Sequence, residues 1–172
     1  MSHAFDIALP GPNSADPQAR DLDHTGRRIM GERQEAIVRQ FCTAWGDGTT
    51  PCPDIDTIVS MFSDDAVWRL WVPGGPVIRG RDALRAEIER QCTFSTFTQC
   101  GIKHVVSSDS MVVTEREDYF TANGTRILHY LTAIYELDAD GKITEWREYF
   151  DVLDVAKKQG VDPEKIASNQ AH

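Results

Sequence analysis

Residues 111–152 decide the fold, and they read MVVTEREDYFTANGTRILHYLTAIYELDADGKITEWREYFDV. Runs rich in β-branched and aromatic residues predict three strands, at 111–120, 126–137 and 142–152. The dipeptide Asn123-Gly124 is a strong hairpin signal between the first two strands, and residues 138–141 provide a second turn. The stretch therefore predicts strands that are linked by hairpins and pair in an antiparallel sheet.

Upstream of this stretch the pattern is helical. Apolar residues recur at helical spacing from Glu32 to a stop at Gly46. Asp54 is a suitable N-cap for a short second helix. A third helix is predicted from about Asp82 to Gln91.

Two further strands complete the prediction. One covers residues 66–72, after a turn at 63–65, and ends at residues 73–76, which read Pro-Gly-Gly-Pro. The other covers residues 97–106. Helices followed by hairpin-linked strands indicate an α+β fold with a mostly antiparallel sheet. If that sheet curves strongly, about three helices along one side leave its concave face as a deep pocket.

The predicted organisation has one folded domain, at residues 32–154. The length of 172 residues fits a single domain. Residues 1–31 combine Pro, Gly and scattered charges without periodicity, which predicts an extended or disordered arm. Residues 155–172 are predicted to form a C-terminal tail with a possible short helix.

The net charge of -9 restricts the partners of the chain. Nucleic acid and anionic membranes are not expected, because their phosphates would be repelled. Apolar runs are too short to span a bilayer. The N-terminus lacks the basic and apolar segments of a secretory signal, so the expected location is the cytoplasm.

The cysteines give little sign of a metal or a disulfide. Cys42, Cys52, Cys92 and Cys100 contain no CxxC pair. In a reducing cytosol we expect free and mostly buried thiols. A disulfide remains the alternative that their even number leaves open. No Cys/His spacing fits a zinc site, so no metal is expected.

Alternation along two of the strands sorts their side chains by face, and large aromatic residues mark the face that points inward. The inward face carries Arg116, Asp118 and Phe120 on the first strand and Trp146, Glu148 and Phe150 on the last. Two carboxyl groups and one guanidinium are therefore predicted to lie together among aromatic side chains.

Burying such groups costs roughly several kcal/mol per ion unless they are paired. An Arg between two carboxyl groups supplies that pairing, and it can hold one ionised while the other keeps its proton. This is the arrangement that a general base and a general acid need when they act together. A buried ion-pair network without a catalytic role is the alternative.

Two segments resemble the motifs of a known family. Residues 113–118, VTERED, and residues 141–151, GKITEWREYFD, resemble the limonene-1,2-epoxide hydrolase-like family of the NTF2-like (SnoaL-like) superfamily. Residues 62–65, FSDD, and residues 79–84, RGRDAL, fit the same pattern. The similarity extends from about Glu32 to Asp151.

The resemblance implies a cone-shaped fold with a deep apolar pocket, and an Asp-Arg-Asp triad that opens epoxides without a cofactor. Carried over to this sequence, Arg116 would bridge the pair and Asp118 would be the general acid. Glu148 would be the base that activates water, one methylene longer than the aspartate of the family. Members of the family are often dimers, and we expect a homo-oligomer here, either a dimer or a trimer.

One departure from the family concerns water. The family holds its water with a Tyr and an Asn at positions that match Trp68 and Leu70 here. The Trp side chain can donate a hydrogen bond but cannot accept one, and the Leu side chain can neither donate nor accept one. This favours an alternative in which a lyase or isomerase moves a substrate proton with Glu148 or His129, and no water attacks. A non-catalytic ligand-binding module is a third interpretation.

The predicted substrate pocket combines aromatic and aliphatic residues. Its predicted lining is Trp68, Leu70, Phe120, His129, Leu131, Trp146 and Phe150. His129 alternates with apolar neighbours, so its neutral imidazole is expected to face the pocket, with a packing role as the alternative. We therefore expect a cofactor-independent acid/base enzyme for a small apolar or aromatic oxygenated substrate, with epoxide hydrolysis as the leading reaction.

Overall fold

The computed structural model describes residues 31–162, so most of the predicted N-terminal arm and the end of the predicted tail lie outside the described residues. The elements in chain order are α1 (Glu32–Trp45), α2 (Ile55–Ser60), β1 (Phe62–Arg69), β2 (Val77–Arg79), α3 (Arg81–Cys92), β3 (Ser95–Gln99), β4 (Ile102–Ser107), β5 (Met111–Ala122), β6 (Thr125–Leu137), β7 (Ile143–Tyr149) and α4 (Val152–Lys158).

The strands form one sheet in the order β2-β1-β7-β6-β5-β3, and β4 pairs with β5 beside that path. The named strand pairs are antiparallel except β1 with β7, which is parallel. The sheet curls strongly into a half-barrel, and the mixed α+β class is confirmed. Among the described residues there are four helices, the three expected beside the sheet and the short one expected in the tail.

The predicted hairpin between β5 and β6 is present. Asn123 and Gly124 have φ angles of 51° and 75°, the left-handed values that a tight two-residue hairpin turn of the mirror type requires. The turn fixes an uninterrupted register between β5 and β6, from Met111 opposite Glu136 to Ala122 opposite Thr125.

An aromatic row lies at the centre of the core. Register places Trp68, Trp146 and Tyr135 side by side across β1, β7 and β6. The two indole rings stack at 4.3 Å with 6° between their planes, and Tyr135 lies 6.1 Å from Trp146 at 10°. Phe41 of α1 meets this row edge-on, 5.0 Å from Trp146 and 5.5 Å from Tyr135. Helix α1 is thus held to the sheet by ring contacts.

In the first half of the sheet one prediction is wrong and one strand was missed. Residues 63–65 are not a turn but part of β1, whose register against β7 shifts between Phe62 and Val67. That irregularity leaves Asp64 and Asp65 exposed, which explains their turn-like composition. The short strand β2 was not expected, because three residues after a Pro-Gly segment are too few to give an alternating pattern.

The single strand expected at 97–106 is two strands. β3 pairs with the end of β5 and β4 with its beginning, and the chain breaks between them at Cys100 and Gly101. Phe97 has a φ of 54°, and both pairings shift register close to the break. One continuous strand cannot follow these two separate pairings, so the prediction was wrong at this point.

The end of the last strand also differs from the prediction. β7 ends at Tyr149 instead of Val152, because the side chain of Asp151 accepts hydrogen bonds from the N–H groups of Leu153 and Asp154, each at 3.0 Å. This N-cap starts α4 at Val152. The helix that was expected in the tail therefore begins within the predicted domain.

The cysteines are free, as expected, but they are not mostly buried. Cys42 is buried, Cys52 is exposed, and Cys92 and Cys100 are half-buried. A separate observation concerns membranes: within residues 31–162 we find no helix with the length and apolar character to cross a bilayer.

The aromatic core gives a stability prediction. Phe41→Ala removes a fully buried ring that contacts the aromatic row, so urea unfolding should show a loss of about 3–5 kcal/mol. Val106→Ala is the matched control, because Val106 is 72% exposed, and its change should stay within about 0.5 kcal/mol. A loss below about 1 kcal/mol for Phe41→Ala would contradict the proposed packing of α1.

Candidate active site

Strand register brings the three predicted acid/base residues together. Arg116 and Asp118 lie on β5 and Glu148 on β7, and the intervening β6 places Leu131 opposite Arg116 and Ala133 opposite Glu148. Directly opposed residues of antiparallel strands share a face. The residues Arg116, Asp118 and Glu148 therefore share one buried face, with 4%, 5% and 8% exposure.

Arg116 and Asp118 form a buried ion pair. Nε of Arg116 donates to both carboxylate oxygens of Asp118 at 3.2 Å, and Nη2 makes a further close contact with Oδ2. The same Nη2 lies 3.9 Å from Oε1 of Glu148, which is too long for a hydrogen bond. The guanidinium therefore compensates the charge of Asp118 more strongly than that of Glu148.

The break between β3 and β4 supplies two more donors to Asp118. The backbone N–H of Gly101 donates to Oδ1 at 3.2 Å, and the thiol of Cys100 donates to Oδ2 at 3.6 Å. Contact with the Cys42 thiol and burial raise the pKa of Cys100, so Cys100 is a neutral thiol that can donate. These contacts stabilise the negative charge on Asp118.

Tyr135 completes the surroundings of the guanidinium. Nη1 of Arg116 donates to the hydroxyl oxygen of Tyr135 at 2.5 Å. Tyr135 is fully buried in the aromatic row. The hydroxyl therefore links the charged site directly to the packed core, and it holds the guanidinium in place from the side opposite the carboxylate bonds.

Glu148 is the carboxyl group that keeps a proton. Burial raises the pKa of Glu148 from 4.5 to about 8. The negative charge of Asp118 adds to this rise, while Arg116 and the nearby indole N–H of Trp68 oppose it. At pH 7 the site therefore contains the Asp118–Arg116 ion pair and a mainly protonated Glu148. One proton is available to a reacting molecule.

These groups lie on the wall of a cavity of about 250 Å³. Of the predicted pocket residues, the cavity is lined by Trp68, Leu70, Phe120, His129, Trp146 and Phe150. Leu131 shares their face but is 5% exposed and packs in the hydrophobic core. The cavity is thus mostly aromatic, with the charged site as its polar part.

His129 is the remaining polar group of the predicted set. It lies opposite Asp118 in the β5–β6 pairing, and its ring packs edge-on against Phe150 at 4.4 Å and Phe120 at 6.3 Å. Burial lowers the pKa of His129 from 6.5 to about 4, so the imidazole is neutral at pH 7. Its Nε2 is buried and has no hydrogen-bond partner among the described residues.

Sequence reasoning missed several residues of the site. Tyr135 could have been found, because it alternates with Leu131 along the same inward face of β6. Cys100 and Gly101 gave no signal, since they lay inside a strand that was expected to be continuous. The part of the lining that comes from helices was also missed, including Trp45 of α1 and Ala156 of α4.

The chemistry that this arrangement can perform is proton transfer within an aromatic cavity. A protonated carboxyl group, an ionised carboxylate and a fixed guanidinium lie on one wall. Within residues 31–162 no group of three His, Cys, Asp or Glu side chains is arranged to hold a metal ion.

The fold and the site together define the class of protein. The chain belongs to the SnoaL-like domain family, whose model matches residues 18–146. This match, together with the relatives described next, confirms the resemblance to the epoxide hydrolase-like members of the NTF2-like superfamily. The matched segment contains Arg116 and Asp118 and ends two residues before Glu148.

Particular relatives share this class. The chain is 32% identical over 104 residues to the epoxide hydrolase EphG of Mycobacterium tuberculosis, covering 60% of this chain and 67% of that protein. A solved epoxide hydrolase of the LEH-like type from M. tuberculosis matches with a TM-score of 0.63 and 26% identity, over 81% of this chain and 98% of the other.

Two more distant structures support the fold alone. A hypothetical protein with a ketosteroid isomerase-like fold from Catenulispora acidiphila has a TM-score of 0.63 and 17% identity, covering 74% of this chain and 95% of that one. The second is SalBIII, an epoxide hydrolase/cyclase-like enzyme with a role in pyran ring formation in the polyether salinomycin. It has a TM-score of 0.62 and 23% identity, covering 72% of this chain and 94% of that one.

The raised pKa of Glu148 predicts a pH-dependent stability. Folding favours the protonated form of Glu148. The contribution of this residue to the stability of the fold is therefore fully present below the ordinary pKa of 4.5 and is lost as the pH rises to about 8. The loss is at most about 1.4 kcal/mol per pH unit in this window. Glu148→Gln should therefore raise the melting temperature at pH 9 relative to the parent chain, and change it little at pH 4.

Glu145→Gln is the matched control for this measurement. Glu145 lies on the other face of β7 and pairs with Arg69 and Arg147, so its replacement should give no gain at pH 9. If Glu148→Gln melts at a lower temperature than the parent chain at pH 9, Glu148 is a stabilising carboxylate and the protonation assigned to it is wrong.

Proposed function

We propose that this chain is a cofactor-independent epoxide hydrolase that acts on a small molecule bound in the aromatic cavity. The observation that carries the proposal is the placement of two buried carboxyl groups near Nη2 of one guanidinium at the cavity wall. The similarity to the EphG and LEH-like epoxide hydrolases supports it.

In the proposed reaction Glu148 donates its proton to the epoxide oxygen. A water molecule adds to one ring carbon as the C–O bond breaks, and Asp118 accepts the proton that this water releases. The product is a diol, and return of the proton from Asp118 to Glu148 restores the starting state. Arg116 holds Asp118 in place and stabilises its charge between these steps.

These roles are the reverse of those that the family resemblance implies, in which Asp118 is the acid and Glu148 the base. The reason is the distribution of charge. Asp118 accepts bonds from Arg116, Gly101 and Cys100, which favour a carboxylate. Glu148 is buried, lies 3.9 Å from Arg116, and has a pKa of about 8.

Reaction without attacking water is the second candidate. Trp68 and Leu70 line the cavity at the positions where the family holds its water, and neither side chain can accept a hydrogen bond. The carboxylate of Asp118 is already bonded to several donors. In this candidate Glu148 protonates the epoxide oxygen and, once ionised, removes a C–H proton from the neighbouring carbon, which gives an isomeric unsaturated alcohol.

The fate of solvent oxygen separates the two candidates. With styrene oxide and cyclohexene oxide as substrates in water enriched in oxygen-18, we expect a diol that carries one solvent-derived oxygen, detected by mass spectrometry. An isomeric alcohol without that label, formed from cyclohexene oxide, would favour the second candidate. Binding without turnover of any tested epoxide would contradict both and favour a non-catalytic ligand-binding module.

The pH dependence of kcat/KM tests the role of Glu148. If Glu148 is the acid, kcat/KM should be constant at neutral pH and fall about tenfold per pH unit above its pKa of about 8. If Glu148 is the base, kcat/KM should instead rise with pH and level off near the same value. The rise would overturn the assignment.

Two substitutions complete the test of the site. Glu148→Gln and Asp118→Asn should each lower kcat roughly 10²–10⁴-fold, because each removes one proton-transfer group. Their controls are Glu145→Gln and Glu117→Gln, on the other face of the same strands, where Glu117 pairs with Lys103. Unchanged activity of both Glu148→Gln and Asp118→Asn would remove these residues from the mechanism.

A further inference from the structure

The four cysteines of the chain form two contacting pairs. The thiol of Cys42, in the last turn of α1, contacts that of Cys100 at the break between β3 and β4. The thiol of Cys52, in the segment after α1, contacts that of Cys92, the last residue of α3. All four cysteines are free. Cysteines that lie far apart in the sequence therefore meet as two dithiol pairs.

Backbone pairing explains why the thiols meet. Residues 46–51, which follow α1, run antiparallel to residues 97–100, and Asp47 and Gln99 form a β-bridge between them. The N–H to C=O bonds between the two segments measure 3.1–3.2 Å and join Cys100 to Gly46, Gly48 to Thr98 and Phe97 to Pro51. One cysteine pair lies at each end of this backbone pairing, which holds both pairs in place.

The residues between Cys92 and Cys100 form one wall of the cavity. Phe94, Ser95 and Thr98 from this stretch line the cavity. The backbone bonds of residues 97–100 attach one end of the stretch to the segment after α1. A covalent bond from Cys92 to that segment would attach its other end in the same way.

The two pairs differ in their access to solvent. Cys42 is 3% exposed, and the thiol of Cys100 donates to Asp118 inside the charged site. In the other pair Cys52 is exposed and Cys92 is half-buried. A thiol reacts with a dissolved oxidant only where the oxidant can reach it. The pair formed by Cys52 and Cys92 is therefore the one that reacts in the folded chain.

We propose that Cys52 and Cys92 form a redox site, at which an intramolecular disulfide closes and opens with the oxidation state of the surrounding thiols. The disulfide ties the segment after α1 to the end of α3, and so anchors the cavity wall at both ends. The oxidant is a small dissolved disulfide such as oxidised glutathione. The inference does not depend on the proposed function, because both cysteines lie outside the acid/base site.

The exchange proceeds in two steps. The thiolate of Cys52 attacks one sulfur of oxidised glutathione, and one glutathione leaves as a thiolate. Cys92 then attacks Sγ of Cys52, its proton passes to solvent, and the second glutathione leaves. Two protein thiols are thereby oxidised, and one glutathione disulfide is reduced to two thiols. Burial and contact with Cys52 raise the pKa of Cys92 to about 11, so Cys92 is the thiol that reacts second.

Oxidation of the full-length chain by glutathione disulfide tests the proposal. The remaining thiols are alkylated as the chain is unfolded, and the peptides are identified by mass spectrometry. We expect Cys52 linked to Cys92, with Cys42 and Cys100 alkylated. Closing the loop from residue 52 to residue 92 should raise the melting temperature by roughly 5–10 °C, and dithiothreitol should reverse this rise. Hydrogen exchange of the amides at residues 94–98 should slow in the oxidised chain.

Cys52→Ser and Cys92→Ser are matched variants, because each removes one sulfur at a position outside the acid/base site. Glutathione disulfide should raise the melting temperature of neither variant. Cys92→Ser should retain one glutathione on Cys52, since the second step needs the sulfur of Cys92. Cys52→Ser should retain none under the same conditions, because the remaining Cys92 thiol is half-buried and protonated.

The inference is overturned if the parent chain forms no disulfide, if it links Cys42 to Cys100 instead, or if glutathione stays on Cys52. It is also overturned if Cys52 and Cys92 are linked without the rise in melting temperature or without the slower hydrogen exchange. None of these results requires turnover of an epoxide. A failed hydrolase assay therefore leaves the redox site intact, and failed oxidation leaves the proposed hydrolase intact.

Discussion

The site depends on the contact between the guanidinium of Arg116 and the carboxylate of Asp118 inside an aromatic core. Arg116 is 4% exposed, and an ion in such a place is tolerated only when its partners compensate for lost water. Asp118 provides the charge, and the hydroxyl of Tyr135 provides a further acceptor at 2.5 Å. Because the second carboxyl group, Glu148, is buried and lies farther from this guanidinium, its pKa is raised to about 8 and it holds a proton at pH 7. The acid/base character of the cavity follows from this difference between the two carboxyl groups.

Much of the fold could be predicted because its signals are local. Alternation along β5 and β7 and the Asn123-Gly124 turn depend only on neighbouring residues, and they gave the α+β class and the inward face. The division of β3 from β4 at Cys100 depends on which part of β5 each strand pairs with. That is a tertiary property, and a continuous alternating pattern hides it. The start of α4 was missed because the sequence does not distinguish an Asp that caps a helix, as Asp151 does, from an Asp at the end of a strand.

The same distinction holds for the site. Face sorting placed Arg116, Asp118 and Glu148 together, because residues two apart on a strand share a face. It could not predict the donors from Gly101 and Cys100, which exist only where the chain breaks. Nor could it predict that Glu148 keeps a proton, since that depends first on its burial and then on its 3.9 Å distance from the guanidinium that Asp118 contacts at 3.2 Å. The relatives identify the family of the chain, and the surroundings of Asp118 and Glu148 support the roles proposed for these two residues.

The most direct test of the account is the protonation state of Glu148. Infrared difference spectroscopy of the full chain should show the carbonyl stretch of a protonated carboxyl group at pH 7, which disappears as the pH is raised through about 8. The band should be absent from Glu148→Gln and present in Glu145→Gln. If the band is absent at pH 7, or persists in Glu148→Gln and is lost in Asp118→Asn, the proton lies elsewhere and the central claim is contradicted.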